Sequence, residues 1–101
     1  MCNKIYNEVL NLVASETEIS PEIIVSKSRV EEIVDARQLV VWFCFKAGLH
    51  PRTIAEKLGI SRQAVCQKIQ TIANRRADKA FEYIYKRCEV RFADVKFCEI
   101  I

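Results

Sequence analysis

The stretch that decides the fold of this chain is Ile54-Ala-Glu-Lys-Leu-Gly-Ile-Ser-Arg-Gln-Ala-Val65. Ile54 and Leu58 lie four residues apart, so they share one face of a helix. Gly59 follows, where a helix commonly ends in the left-handed conformation that glycine adopts most easily. Ser61 is suited to cap a second helix, because its hydroxyl can accept an unbonded amide hydrogen of the first turn. The pattern predicts two helices joined by a tight turn.

The second helix of this unit is predicted to run from about Arg62 to Asn74, with Val65 and Ile69 on its buried face. A helix-turn-helix places its second helix in the major groove of DNA, whereas a purely structural helical hairpin is the alternative interpretation. Arginine can pair with guanine and glutamine with adenine through two hydrogen bonds each. The residues predicted to read bases are Arg62, Gln63, Gln67 and Gln70, and those predicted to hold phosphates are Ser61 and Lys68.

Upstream of this unit the sequence predicts three more helices, over about 3–15 with Asn3 as its cap, over about 21–25, and over about 30–47. Ser20 and Pro21 mark the start of the short second helix. The third is apolar on most of its surface, so we expect it at the centre of the fold. The basic loop Ser26-Lys-Ser-Arg29 precedes it, and can be a solvated connection or a phosphate contact.

Downstream, Asp78 to about Phe92 again has helical spacing, and the pattern leaves open whether it continues the preceding helix. Apolar residues alternate from Val90 to Phe97, so a short strand is an alternative there. Exposed together, the apolar residues of this tail would form a large apolar patch, which soluble monomers rarely carry, so they are expected to pack on another surface. We expect a homodimer formed through residues 78–101, with packing on the first helix as the alternative.

The composition indicates one mainly helical domain of 101 residues, with a core over about 3–74 and a tail over about 78–101. Half of the residues are apolar, and the net charge of +3 permits a nucleic-acid partner. The five cysteines form no CxxC pair, so we expect free thiols in the cytoplasm, no metal and no cofactor. No catalytic constellation is present, so no enzyme is predicted. The apolar run 39–45 is too short to span a membrane.

Several segments together resemble the C-terminal double-stranded-DNA-binding domain of the bacterial replication initiator DnaA, over roughly residues 8–72. They are Ser26-Lys-Ser-Arg29, Glu32-Ile-Val34, Ala36-Arg-Gln38, the long apolar helix and Ile54…Leu58-Gly59. The resemblance implies an all-α bundle of five to six helices, similar to the Trp repressor group. It also implies a set of backbone contacts, with Lys27 and Arg29 in the basic loop, Arg37 and Gln38 near phosphates, and His50, Pro51 and Arg52 as weaker candidates.

The chain departs from that family at the start of the second helix of the motif. The family carries Asp-His-Thr-Thr there, whereas this chain has Ser61-Arg-Gln-Ala64 and a turn one residue shorter, so recognition of the family's origin box is not expected. No GxxxxGK[ST] loop is present, so the chain lacks the initiator's ATPase domain.

The expected function is sequence-specific binding of double-stranded DNA in transcription or replication control, with a phage or mobile-element source as the suggested origin. The alternative is a helical protein–protein interaction module of the same machinery. The two differ at the face formed by Lys27, Arg29, Arg37, Arg62 and Lys68. A basic surface there favours DNA, and an apolar patch favours a protein partner.

Overall fold

The computed structural model of the protein describes residues 2–95, which form six helices and no strand. The helices are α1 (Cys2–Thr17), α2 (Pro21–Ile24), α3 (Glu31–Lys46), α4 (Pro51–Leu58), α5 (Arg62–Arg75) and α6 (Lys79–Asp94). The predicted all-α class is therefore confirmed.

Helix α3 is the centre of the molecule, as its apolar surface predicted. It packs against each of the other five helices. Its buried positions occupy most of its circumference, and they are Ala36, Gln38, Leu39, Val40, Val41, Phe43 and Cys44. Because α3 buries apolar side chains on several sides at once, each surrounding helix packs directly on it.

Residues with a known preference for helix starts begin α2 and α4. Pro21 and Pro51 occupy the first turns of α2 and α4, where a missing amide hydrogen costs little. His50 caps α4, because its Nδ1 accepts the backbone N–H of Arg52 at 3.1 Å. The predicted cap at Asn3 is wrong, since α1 already begins at Cys2.

Helices α4 and α5 form the predicted helix-turn-helix. Gly59 ends α4 in the left-handed conformation, with φ 67° and ψ 32°. Ser61 caps α5, and its Oγ accepts the backbone N–H of Ala64 at 3.1 Å. Ile54 and Val65 are fully buried where the two helices pack on the core. Local signals thus determine the turn, and apolar burial holds it against α3.

Helix α6 is separate from α5, which settles the question that the spacing left open. Asp78 caps it, and its Oδ1 accepts the backbone N–H groups of Ala80 and Phe81 at 2.9 and 3.2 Å. The helix continues to Asp94, so the predicted strand is wrong over 90–94. The remainder of that alternation, from residue 96 onward, lies outside the described residues.

The apolar face of α6 packs on α1 and α3 of the same chain. Phe81, Tyr85 and Cys88 are buried there. At the edge of this contact, Arg87 and Arg91 pair with Glu16 at 3.6 and 3.7 Å. Most of the described apolar groups that motivated a homodimer are therefore covered intramolecularly, although Val90 is exposed, and the homodimer is not supported.

Candidate nucleic-acid interface

The outer face of α5 is a polar surface on which the four predicted base-reading residues lie together. Arg62, Gln63, Gln67 and Gln70 are all exposed. With Cys66 they line a shallow groove of about 390 Å³. None of the residues that line this groove is acidic. The opposite face of α5 buries Val65 and Ile72, so the helix is held firmly with its polar side outward.

Cys66 is a member of this surface that the reading of the sequence missed as a site residue. It lies four residues after Arg62 and four before Gln70, so helical spacing alone places it on the same stripe. Its side chain is half-buried and its thiol is free. A small, weakly polar group therefore lies at the middle of the groove-lining face.

A second cavity, of about 310 Å³, lies between the basic loop, α3, the end of α4 and α5. Four cationic side chains line it: Lys27, Arg29, Arg37 and Lys68. Leu58, Gly59 and Ile60 bring the turn of the helix-turn-helix to its wall. No carboxylate belongs to this lining, so positive charge is concentrated there without a compensating anion.

The basic loop has a defined backbone conformation that Arg37 stabilises. The Arg37 guanidinium donates to three carbonyl oxygens, those of Ile24 at 3.1 Å, of Ser28 at 3.1 Å and of Ser26. Ser26 Oγ donates to the carbonyl of Ile23 at 2.6 Å, and Ser28 Oγ accepts the N–H of Val30 at 3.3 Å. The two serines thus serve the loop itself.

The two cations of the basic loop, Lys27 and Arg29, are exposed, whereas Ser26 and Ser28 are half-buried. The loop therefore uses its hydroxyl groups in its own hydrogen bonds and leaves its charges accessible. Short cationic segments of this kind are suited to contact phosphate oxygens.

Gln38, the residue after Arg37, is buried and joined to α5. Its Nε2 donates to the backbone carbonyl of Lys68 at 3.0 Å and to Thr71 Oγ1 at 3.2 Å. Thr71 in turn donates to the carbonyl of Gln67 at 2.9 Å. Gln38 is 5% exposed, so this amide is part of the interior and not of the surface.

The ion pairs of the described chain are formed by arginines other than the cations of this cavity. Within residues 2–95 the carboxylates pair with Arg75, Arg76, Arg87 and Arg91, all at or beyond the end of α5. Lys27, Arg29, Arg62 and Lys68 take part in none of those pairs. Burial lowers the pKa of Lys68, and the positive charge of Arg37 lowers it further. An anion placed in this cavity would remove that unfavourable interaction.

The weaker candidates lie at the start of α4, and the predicted phosphate contact Ser61 lies at the start of α5. Arg52 is exposed, while the His50 ring nitrogen and the Ser61 hydroxyl are already used as helix caps. Within the described part of the chain, no group of three or more His, Cys, Asp or Glu side chains could hold a metal ion. None of the described helices is long and apolar enough to cross a membrane.

A helix-turn-helix with an exposed polar second helix and unpaired cations beside it defines a class of DNA-binding domain. Residues 6–72 match the family model of the bacterial dnaA protein helix-turn-helix, which covers more than half of the chain. The chain therefore belongs to this family, whose general function is DNA binding and which is not an enzyme family. No curated protein and no solved structure matches the chain.

Proposed function

We propose that this protein binds double-stranded DNA at a specific sequence, with α5 in the major groove, and thereby acts in transcription or replication control. The observation that carries this proposal is the single exposed face shared by Arg62, Gln63, Gln67 and Gln70. An α-helix of this kind fits the width of the major groove, where the donor and acceptor pattern of each base pair is distinct.

The chemistry of the α5 face suits base reading. Arginine can donate two hydrogen bonds to the N7 and O6 atoms of guanine, and glutamine can pair with the N6 and N7 atoms of adenine. Arg62 and Gln63 are in the first turn of α5, which is the part of a recognition helix that contacts base edges first. Gln67 and Gln70 extend the same surface by two further turns.

Contacts to the DNA backbone are proposed for the basic loop and for Lys68. Lys27, Arg29 and Lys68 are cationic, line one cavity and have no carboxylate partner within residues 2–95. Each phosphate that they neutralise would release condensed counterions from the duplex, and that release favours binding. Ser61 and Arg52 lie at the starts of α5 and α4, from which they extend the proposed backbone contacts.

The alternative of a protein-binding module has less support on this surface. The large apolar side chains exposed in the described residues are Ile23, Val30, Phe45, Tyr83 and Val90. None of them lies in α4 or α5, and they are distributed over α2, the start and end of α3, and α6. A protein-docking face would concentrate such groups. Cys44, Cys66 and Cys88 are free thiols, which fits a protein of the reducing cytoplasm.

Selection of bound sequences from a random duplex pool tests this function. The full chain is expected to enrich one motif, and the base preferences within it should weaken when Arg62 or Gln67 is replaced by alanine. A folded chain that binds no duplex at low salt would overturn the proposal. So would binding without enrichment of any motif, which would leave only a non-specific DNA-binding protein.

A further inference from the structure

Two adjacent residues of α3 hold the two elements proposed to contact DNA. Arg37 binds the backbone of the basic loop, and Gln38 binds the backbone and a hydroxyl of α5. Consecutive residues of an α-helix point about 100° apart, so neighbours can reach elements on different sides of it. We propose that Arg37 and Gln38 are positioning residues, which fix the basic loop and α5 to α3 at the separation that lets both engage one duplex.

The hydrogen bonds of Arg37 favour positioning over direct phosphate contact. Its Nε and Nη2 donors are directed to the carbonyl of Ile24, at the end of α2, and to the carbonyls of Ser26 and Ser28 in the basic loop. Arginine is suited to this task, because its planar guanidinium holds several donors in one rigid fork. Lysine carries the same charge but has no such fork. The charge of Arg37 still contributes to the cavity, since no carboxylate there neutralises it.

The hydrogen bonds of Gln38 reach the turn of α5 that carries proposed contacts. Its amide binds the carbonyl of Lys68 and the hydroxyl of Thr71, which itself binds the carbonyl of Gln67. Gln67 lies on the groove-lining face, and Lys68 lines the basic cavity. A change at the buried Gln38 amide would therefore be transmitted to residues on both surfaces. This role replaces the phosphate contact that the family resemblance implied for Arg37 and Gln38, and it rests on the proposed function.

The part of the proposal that concerns the loop can be tested without DNA. Amide hydrogen exchange is measured on the full chain, on Arg37→Lys, and on Lys86→Ala as an exposed control on α6. Arg37→Lys should accelerate exchange at residues 26–30 by about tenfold, the effect of losing one charge-assisted hydrogen bond of about 1.4 kcal/mol. Exchange in α5 should stay unchanged, as should exchange everywhere in Lys86→Ala. Unchanged exchange at residues 26–30 in Arg37→Lys would overturn the role of Arg37.

Affinity for the selected duplex then separates positioning from direct contact. If Arg37 positions the loop, the combined Lys27→Ala and Arg29→Ala change should weaken binding clearly in the native chain but by less than about twofold in the Arg37→Lys background. If Arg37 contacts phosphate directly, Arg37→Lys should bind almost as the native chain does. The combined Lys27→Ala and Arg29→Ala change would then reduce the affinity by the same factor in the native chain and in Arg37→Lys, and that result would contradict the proposal.

Gln38→Met removes the amide and nearly conserves side-chain volume, so it isolates the hydrogen bonds to α5. We expect the ratio of affinities for the selected and scrambled duplexes to fall by about tenfold, because a displaced α5 loses base contacts. The slope of log affinity against log salt should change by no more than about one unit, since Lys68 is the proposed phosphate contact on the turn that Gln38 holds. An equal loss of affinity on both duplexes would mean that Gln38 contacts the DNA backbone directly, and it would overturn the positioning role of Gln38. If the native chain binds no duplex, the proposed function fails, while hydrogen exchange still decides the role of Arg37.

Discussion

At the scale of single residues, two serines at helix starts differ in whether the hydroxyl group caps the helix. Ser61 and Ser20 both precede a helix in extended backbone conformation. Only the Ser61 hydroxyl accepts an amide hydrogen of its helix, and the Ser20 hydroxyl makes no such bond. The difference has a simple cause. In α2 the amide at the equivalent third position is that of Ile23, and it donates to the backbone carbonyl of Ser20 at 3.0 Å instead of to the Ser20 hydroxyl.

The two serines therefore form a matched pair of stability variants. Ser61→Ala should lower the free energy of unfolding by about 1 kcal/mol, through loss of the cap. Ser20→Ala should change it by less than about 0.5 kcal/mol. Urea unfolding followed by circular dichroism gives both values. Equal losses in the two variants would contradict the assigned role of the Ser61 hydroxyl.

The cysteines give a second prediction at this scale. Burial raises the pKa of Cys44 and of Cys88 to about 12, so neither thiol forms the reactive thiolate near neutral pH. Cys66 is half-buried and lies among the proposed base-reading residues. Iodoacetamide at pH 8 should therefore modify Cys66 before Cys44 and Cys88, as read by peptide mass spectrometry. Saturating selected duplex should slow the reaction at Cys66 alone. Equal rates with and without duplex would place the DNA elsewhere.

At the scale of elements, the sequence predicted the helices well because their ends depend on local chemistry. Pro21, Pro51, Gly59 and Ser61 each impose a backbone conformation or a hydrogen bond within a few residues. What covers the apolar side of α6 was not predictable in this way. Helical spacing shows that Phe81, Tyr85 and Cys88 share a face, but that face could pack equally well on the same chain or on another copy.

The roles of Arg37 and Gln38 could not be predicted from local sequence patterns, for a related reason. Their partners lie in the basic loop and in α5, which are brought to α3 by tertiary packing. A polar pair in an apolar helix indicates a special role, but spacing does not distinguish a phosphate contact from an internal hydrogen bond. That the four predicted residues of α5 share one face could be predicted from the sequence, because one helix fixes their relative positions.

Helix α6 is expected to be part of the folding unit. Phe81 is 3% exposed against α1 and α3, whereas Tyr83, on the outer side of α6, is 60% exposed. Phe81→Ala should cost about 3–5 kcal/mol of stability, since it removes a buried ring and leaves a cavity. Tyr83→Ala should cost less than about 0.5 kcal/mol. Thermal and urea unfolding measure both. A tolerated Phe81→Ala would mean that α6 is an appendage that contributes little to the core.

At the scale of the whole molecule, charge is divided between two sides. The ion pairs Asp35–Arg75, Arg76–Glu82, Glu16–Arg87 and Glu16–Arg91 stabilise the region where α6 packs. The cations of the basic loop and of α5 are left without such partners in the described chain. A net charge of only +3 therefore understates the local potential at the proposed interface.

This division predicts which charges control the salt dependence of DNA binding. Removing Lys27 and Arg29 together, by alanine, should reduce the slope of log affinity against log salt by about one to two units, one for each lost phosphate contact. Removing Lys79 and Lys86 from α6 subtracts the same charge, and both are exposed. That control pair should leave the slope within about half a unit. Equal slopes for the two double variants would show that net charge, and not the basic loop, governs binding.

Base reading by α5 is tested most directly by comparing Arg62→Ala with the native chain on the selected duplex and on a scrambled duplex of equal length. Arg62 is exposed in the first turn of α5. If α5 reads bases, the substitution should weaken binding to the selected duplex by about 1–3 kcal/mol and relax preference at one base pair, with a much smaller loss on the scrambled duplex. Equal losses on the two duplexes would contradict the account, because Arg62 would then contribute only charge.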